Sequence, residues 1–284
     1  MSLFGVIDII TNFQIMYNIN KGDMATTFTM LTELQNDIFV AVDKRPTTVN
    51  TIEFHDMCIH VGDFDFKFEG TCRINIGEMI LLDGISGSGK STVMNAIAGL
   101  YDGKVTESFC IDGESYDDEF RSISHVREYC RQDVLDGYKS NMFRTIHMTL
   151  TELFPNGTYD EIKEFLGHFG VQSKIPTDMC TKISKTQNGL CGGEARRFIV
   201  AVQVWRALKN GALILILDEP TREIDEKQSI QIFEYIRRIY HGAIILTLHE
   251  KSIKEHLDKW VSQTWQFADP VIGQPMTFTI HQNV

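Results

Sequence analysis

Gly84-Ile85-Ser86-Gly87-Ser88-Gly89-Lys90-Ser91-Thr92 is the stretch on which the fold turns. It fits G-x-x-x-x-G-K-[ST], the phosphate-binding P-loop. Before it, Met79-Ile80-Leu81-Leu82 is a short apolar run suited to a buried strand. After it, Val93, Ile97 and Leu100 recur at helical spacing. Strand, glycine turn and helix together make the motif chemically meaningful, because successive N–H groups of the curled backbone face one anion. The helix N-terminus adds its partial positive charge. Lys90 is placed to reach the β- and γ-phosphates of a nucleotide, and Ser91 to ligate Mg²⁺. A chance glycine turn is the competing reading, and the strand and helix on either side argue against it. The expectation is a chain that binds a nucleoside triphosphate.

The surroundings narrow the class. At 284 residues the chain suits one large domain or two small ones, and 43% hydrophobic with 23% charged residues is ordinary for a globular protein. The net charge is −11 and no long run of Lys or Arg occurs, so there is no strong nucleic-acid signal. Six cysteines (Cys58, Cys72, Cys110, Cys130, Cys180, Cys191) form no C-x-x-C pair. Neither a zinc site nor a disulfide framework is expected from them, and reduced thiols are. No apolar segment reaches bilayer-spanning length. The stretch from Leu3 to Met16 is interrupted by Asp8, Asn12 and Gln14 and lacks the basic start and cleavage site of a signal peptide. The expected location is cytoplasmic, with any membrane association peripheral and through a partner.

Two regions are expected along the chain. Residues 1–48 read as a helical leader, with Phe28, Leu31, Leu34, Ile38 and Val42 at helical spacing until Pro46 stops it. Residues 49–284 read as the nucleotide-binding domain. Within it, Ile52–His55, Cys58–Val61, Phe64–Phe68 and Cys72–Ile76 read as strands, and about 134–190 as a helical subdomain. Phe64, Phe66 and Phe68 alternate with charges, so their rings are expected on one sheet face.

Leu213-Ile214-Leu215-Ile216-Leu217-Asp218-Glu219 is an apolar run ending in two acids. Fully buried parallel strands read this way, and open α/β sheets bind ligands at the carboxyl ends of such strands. Asp218 is placed to hold Mg²⁺, and Glu219 to polarise an attacking water. His249 ends another apolar strand, Ile244 to Leu248, where an imidazole can bond a γ-phosphate or the catalytic carboxylate. Leu190-Cys191-Gly192-Gly193-Glu194 opens a further helix and offers a second anion-binding N-terminus. One phosphate group rarely needs two such ends, so a head-to-tail dimer is expected.

This ordered set resembles the ATP-binding cassette (ABC) family. Gly84 to Ser91 is similar to its Walker A loop and Leu213 to Asp218, with Glu219, to Walker B. Leu190-Cys191-Gly192-Gly193-Glu194 resembles the signature, usually L-S-G-G-Q, and Thr221 to Asp225 the D-loop. His249 resembles the switch histidine and Gln132 the Q-loop glutamine. The leader and the lengths between motifs are most similar to the exporter branch, though a membrane domain is missing. The resemblance implies an α/β P-loop cassette: a parallel sheet core, an antiparallel β edge and a helical subdomain.

It also implies ATP and Mg²⁺ as ligands, with Gly84, Ile85, Ser86, Gly87, Ser88, Gly89, Lys90, Ser91 and Thr92 around the phosphates. Ser91, Gln132 and Asp218 would organise Mg²⁺, and Glu219, His249 and Lys90 would carry catalysis. Cys191, Gly192 and Gly193 would close the partner's site in a homo- or heterodimer. The adenine-stacking aromatic aligns near Val61 and Phe64, with Phe64 as a candidate beside its reading as a core ring. Cys191 replaces the signature serine with a weaker donor, and Lys185 stands where exporters carry a glutamate. Three functions share this cycle: ATPase subunit of a transporter with a separate transmembrane subunit, soluble ABC switch, and non-enzymatic nucleotide-binding module. The first is the main expectation.

Overall fold

The computed structural model describes residues 49–283 apart from 62–63, 69, 99–104, 117–126, 131–147, 184–188 and 272–274. The expected leader, Gln132 and Lys185 lie outside the described residues.

The chain begins its described part with a long strand, β1 (Thr51–Val61), flanked on one edge by β2 (Phe64–Lys67) and β3 (Thr71–Asn75) in tandem. On the other edge lie β5 (Val105–Ile111) and then β6 (Glu114–Tyr116), all antiparallel. The two strands expected at 52–55 and 58–61 are one strand interrupted by a bulge. Its register against β5 shifts between His55 and Cys58, and Asp56 sits at φ 50°. An extra residue at that point switches the inward set from Ile52 and Phe54 to Met57 and Ile59, all of them buried.

A second, six-stranded sheet has the order β11-β10-β4-β9-β8-β7. Its strands are β4 (Met79–Asp83), β7 (Arg127–Cys130), β8 (Ile214–Leu217), β9 (Ala243–Thr247), β10 (Val261–Phe267) and β11 (Phe278–Gln282). All neighbours are parallel except β10 with β11. Ile214–Leu217 and Ala243–Thr247 are buried at every position, as parallel strands covered on both faces must be.

Helix α1 (Lys90–Ile97) leaves the P-loop, and α2 (Leu150–Leu153) and α3 (Tyr159–Gly167) follow. Helices α2 and α3 each start with a capping box, Thr149 with Glu152 and Thr158 with Glu161. Residues 134–147 and 184–188 of the region expected to be mostly helical lie outside the described residues, and its described part mixes helix with extended chain. After α3 come a single 3₁₀ turn, Gln172–Lys174, and extended chain bridging Lys182 to Thr149. Pro176 accounts for part of this, since proline disfavours helix in the residue before it.

Helix α4 (Gly192–Asn210) is the longest among the described residues, and Phe198, Ile199, Val202 and Trp205 on it are buried. Its Trp205 ring meets Phe154 and Phe165 edge-on, and the indole N–H donates to the Pro155 carbonyl at 3.1 Å. Helices α5 (Glu226–Ile239) and α6 (Lys251–Leu257) complete the layer.

Among the described residues, no helix is long and apolar enough to cross a membrane. The Phe66 and Phe68 rings both stack on Phe278, so these two share a face as their alternation suggested. Phe64 opens β2 opposite Val61, and its ring lies outside the described side chains.

Candidate functional site

The order β4-β9-β8 sets three loops side by side. The P-loop leaves the carboxyl end of β4, His249 lies two residues past β9, and Asp218 and Glu219 directly follow β8. Sheet pairing thus gathers residues that are far apart in the chain.

The P-loop is tightly constrained. Gly89 has φ 94°, a left-handed conformation open to glycine, and a Cβ built there would stand 3.2 Å from the Phe66 ring. A Cβ on Gly84 would lie 2.8 Å from that of Phe267. Lys90 is buried, and its Nζ donates to the carbonyls of Gly84 at 2.8 Å and Ile85 at 2.7 Å. Burial pushes the Lys90 ammonium below its ordinary value, while the charges of Asp218, Asp83 and Glu219 partly restore it. Ser88 is buried, whereas Ile85, Ser86 and Gly87 are exposed at the loop tip. Ser91 and Thr92 lie half-buried in the first turn of α1.

The acids are held just as closely. Thr247 donates its hydroxyl to Asp218 Oδ1 at 2.6 Å and accepts the Glu219 N–H at 2.8 Å. Glu219 has φ 46°, strained for a side chain of its size. Arg196 holds that turn in place: its Nη2 donates to the carbonyls of both Asp218 and Glu219, each at 2.6 Å, and the residue is fully buried. His249 Nε2 bonds directly to Glu219 Oε1. Of the two roles open to this histidine, the structure shows contact with the carboxylate.

Asp83 braces the start of the P-loop. It accepts the Gly84 N–H at 2.9 Å and pairs with Lys254 Nζ at 2.6 Å. Burial raises the Asp83 carboxyl. The Lys254 hydrogen bond and charge and the Gly84 N–H outweigh it, so the group ends below its usual range.

The Leu190–Glu194 turn is different in kind. Cys191 caps α4 and is exposed, and its N–H donates to Glu194 Oε2 at 2.9 Å. Lys174 pairs with Glu194 at 3.5 Å and donates to the Gly189 carbonyl at 3.2 Å. The glycines face Glu223, itself at φ 66°. A Cβ on Gly192 would collide with the Glu223 carboxylate, and one on Gly193 would stand 2.5 Å from its carbonyl oxygen. Thr221 donates to Glu250 at 2.9 Å, and Asp225 caps α5 through the Gln228 N–H at 2.9 Å. The stretch from Thr221 to Asp225 is therefore fastened at both ends, with Glu223 held between.

Thr247, Arg196, Asp83 and Lys254 were not anticipated. A threonine closing an otherwise apolar strand and an arginine on the buried side of a helix were visible signals. The Asp83–Lys254 pair, 171 residues apart, left none.

The geometry and the relatives agree. The family model described as "ABC transporter" matches residues 70–222, just over half of the chain. The chain belongs to the ABC transporter family.

It is 28% identical over 188 residues to the vitamin B12 import ATP-binding protein BtuD of Photobacterium profundum, covering 65% of this chain and 72% of that protein. It is 29% identical over 212 residues to the macrolide export ATP-binding/permease protein MacB of Agrobacterium fabrum, covering 70% of this chain and 30% of that protein. Thus it matches only about a third of the macrolide exporter's length. A bacterial Atm1-family ABC exporter, solved with ATP bound, shares the fold at a TM-score of 0.60 and 18% identity, over 78% of this chain and 38% of the exporter.

Proposed function

We propose that this chain is the ATP-binding and ATP-hydrolysing subunit of a transporter whose membrane-spanning part is a separate chain. The observation that carries the reading is the meeting of the P-loop, Asp218–Thr247 and Glu219–His249 at adjacent strand ends. In this proposal residues 1–48 are a leader and residues 49–284 the cassette, with its helical subdomain at about 134–190.

The substrate's phosphates would lie on the N–H groups of Gly84 to Thr92. Lys90 would exchange its bonds to the Gly84 and Ile85 carbonyls for phosphate oxygens, a charge-assisted contact stronger than the one it leaves. The donor set fits Mg²⁺, a hard cation: the Ser91 hydroxyl and the Asp218 carboxylate offer oxygens, with Gln132 as a third candidate. Bound there, Mg²⁺ would neutralise charge on the phosphates. Thr247 orients Asp218 for that role. Glu219 is the proposed general base, and His249 holds its carboxylate in place.

The turn with exposed Cys191 and half-buried Gly192 and Gly193 would close the site of a second cassette, in a homo- or heterodimer. ATP shared across that interface favours the closed dimer, and hydrolysis releases it. Cys191 offers only a weak thiol donor, so closure is expected to be slower than with a serine.

The test uses the full chain and its Glu219→Gln variant. The wild type should turn over ATP with Mg²⁺, and the variant should retain nucleotide and dimerise. Affinity isolation with the variant from solubilised membranes should yield an integral membrane chain. No turnover together with no nucleotide-stabilised dimer would sink the hydrolytic reading. Isolation of a wholly soluble complex would support the switch reading instead.

A further inference from the structure

The bulge in β1 has a second consequence. On either side of Asp56, residues His55, Cys58 and His60 are only half-buried, because the inward set changes from even to odd numbers there. Without the extra residue, Cys58 and His60 would fall on the buried face, given the period of two along a strand. Strand β2 then brings Asp65 directly opposite His60.

The three side chains converge. His60 Nδ1 lies 2.7 Å from Asp65 Oδ1, and His60 Nε2 lies 4.0 Å from Cys58 Sγ. One ligand atom from each residue can be chosen so that all three lie within 4.8 Å of one another. A tetrahedral zinc ion with bonds of about 2.0–2.3 Å needs ligand atoms roughly 3.3–3.7 Å apart, so the Cys58–His60 pair closes by a few tenths of an ångström and the others adjust by up to about 1 Å, within reach of side-chain rotation. The set is thiol, imidazole and carboxylate, all half-buried, so an ion can enter from solvent.

We propose that Cys58, His60 and Asp65 form a zinc-type divalent cation site on the solvent-facing side of the antiparallel sheet, apart from the nucleotide site. Thiolate and imidazole select zinc over the hard cations Mg²⁺ and Ca²⁺. With Asp65 as a ligand, the metal takes the place of the His60 Nδ1–Asp65 hydrogen bond, and the carboxylate oxygen and an imidazole nitrogen both turn to the ion beside the Cys58 sulfur. Binding displaces the thiol proton to solvent, and water completes the coordination. Lys67, 3.4 Å from Asp65, is the competing cation that the metal must outdo.

A neighbouring group, Glu53, His55 and Cys110, has a similar composition. Its carboxylate is held by Arg73 at 2.5 Å, a much closer ion pair than that of Asp65 with Lys67 at 3.4 Å, so it is the weaker candidate. The site has a structural use. Phe66, next to Asp65, presses its ring against Gly89 of the P-loop, so a metal joining β1 to β2 would steady the floor of that loop.

The experiment is a Co²⁺ titration of the nucleotide-free full chain, followed by displacement with Zn²⁺. The wild type should show a thiolate-to-cobalt charge-transfer band that Zn²⁺ abolishes, and Zn²⁺ should raise its thermal midpoint. Cys58→Ser should lose the band and the thermal shift, while Asp65→Asn, which removes a carboxylate ligand, should weaken binding by about 10-fold or more. Cys110→Ser should keep both. A band that survives Cys58→Ser, or one that disappears only in Cys110→Ser, overturns the proposal. So does the absence of any band in a wild type that still binds nucleotide.

Discussion

The strand-end site and the Leu190–Glu194 turn differ in how completely their polar groups are partnered within the chain. At the strand ends every acid has a fixed partner: Asp218 has Thr247, Glu219 has His249, and both of their carbonyls rest on Arg196. The turn at Gly192-Gly193 is half-buried behind an exposed thiol, and Glu223 packs against both glycines. One helix joins the two regions, because Arg196 and the glycines lie within the first two turns of α4. A buried, cross-braced site holds its charge arrangement fixed. A glycine turn at a helix start is built to let another surface approach closely.

Replacing chemistry without packing is the sharpest way to separate the two regions. Glu219→Gln should lower ATP turnover about 10²–10⁴-fold with nucleotide affinity held within a few-fold, measured by steady-state hydrolysis and by binding. Equal loss of binding would mean that Glu219 holds the nucleotide rather than acting on it.

Arg196→Leu attacks the joint between the regions. It removes two charge-assisted bonds of about 1.5–3 kcal/mol each, so urea unfolding should show a loss of roughly 3–5 kcal/mol. A loss below about 1 kcal/mol would mean that the Glu219 turn keeps its shape unaided.

Thr247→Val leaves the Glu219 N–H without its acceptor and Asp218 without its donor, and about 1–3 kcal/mol should go. Gly193→Ala should cost a similar 1–3 kcal/mol, since the Glu223 backbone must shift. Gly192→Ala meets only the movable end of the Glu223 side chain and should cost less. If Gly192→Ala proves the more damaging, Glu223 is held more firmly than its exposure indicates.

The smallest effect expected is that of pH on the brace at Asp83. Its carboxyl titrates below its ordinary value when folded, so the stability it adds is present above the ordinary aspartate value and is lost as pH falls through the lowered one. Lys254→Met should cost under about 1 kcal/mol at neutral pH, since the pair is partly exposed and screened. The gap from wild type should shrink in acid and in salt. A gap that stays constant down to low pH would show that Lys254 acts through packing.

Much of this was legible in the chain because it is local. The P-loop, the acids after Leu217 and the histidine after Leu248 each sit at the end of an apolar run, and such runs are readable as strands. The residues that fasten them were not legible, since Thr247 meets Asp218 across 29 positions and Lys254 meets Asp83 across 171. The bulge at Asp56 was equally hidden. The break between residues 55 and 58 read as the end of one strand and the start of another, whereas it is a switch of face within one.

Local residue order, by itself, settles which residues can bend round a phosphate and which strands are apolar enough to lie at the centre of a sheet, because glycine geometry and hydrophobic runs act over a few neighbours. Tertiary structure alone decides which strand ends stand together and which side chains lock Asp218 and Glu219. It also decides that Cys58, His60 and Asp65 share one face. Strand order and register are long-range choices, set by how the whole core packs, and a single bulged residue is enough to reverse which side chains meet the solvent.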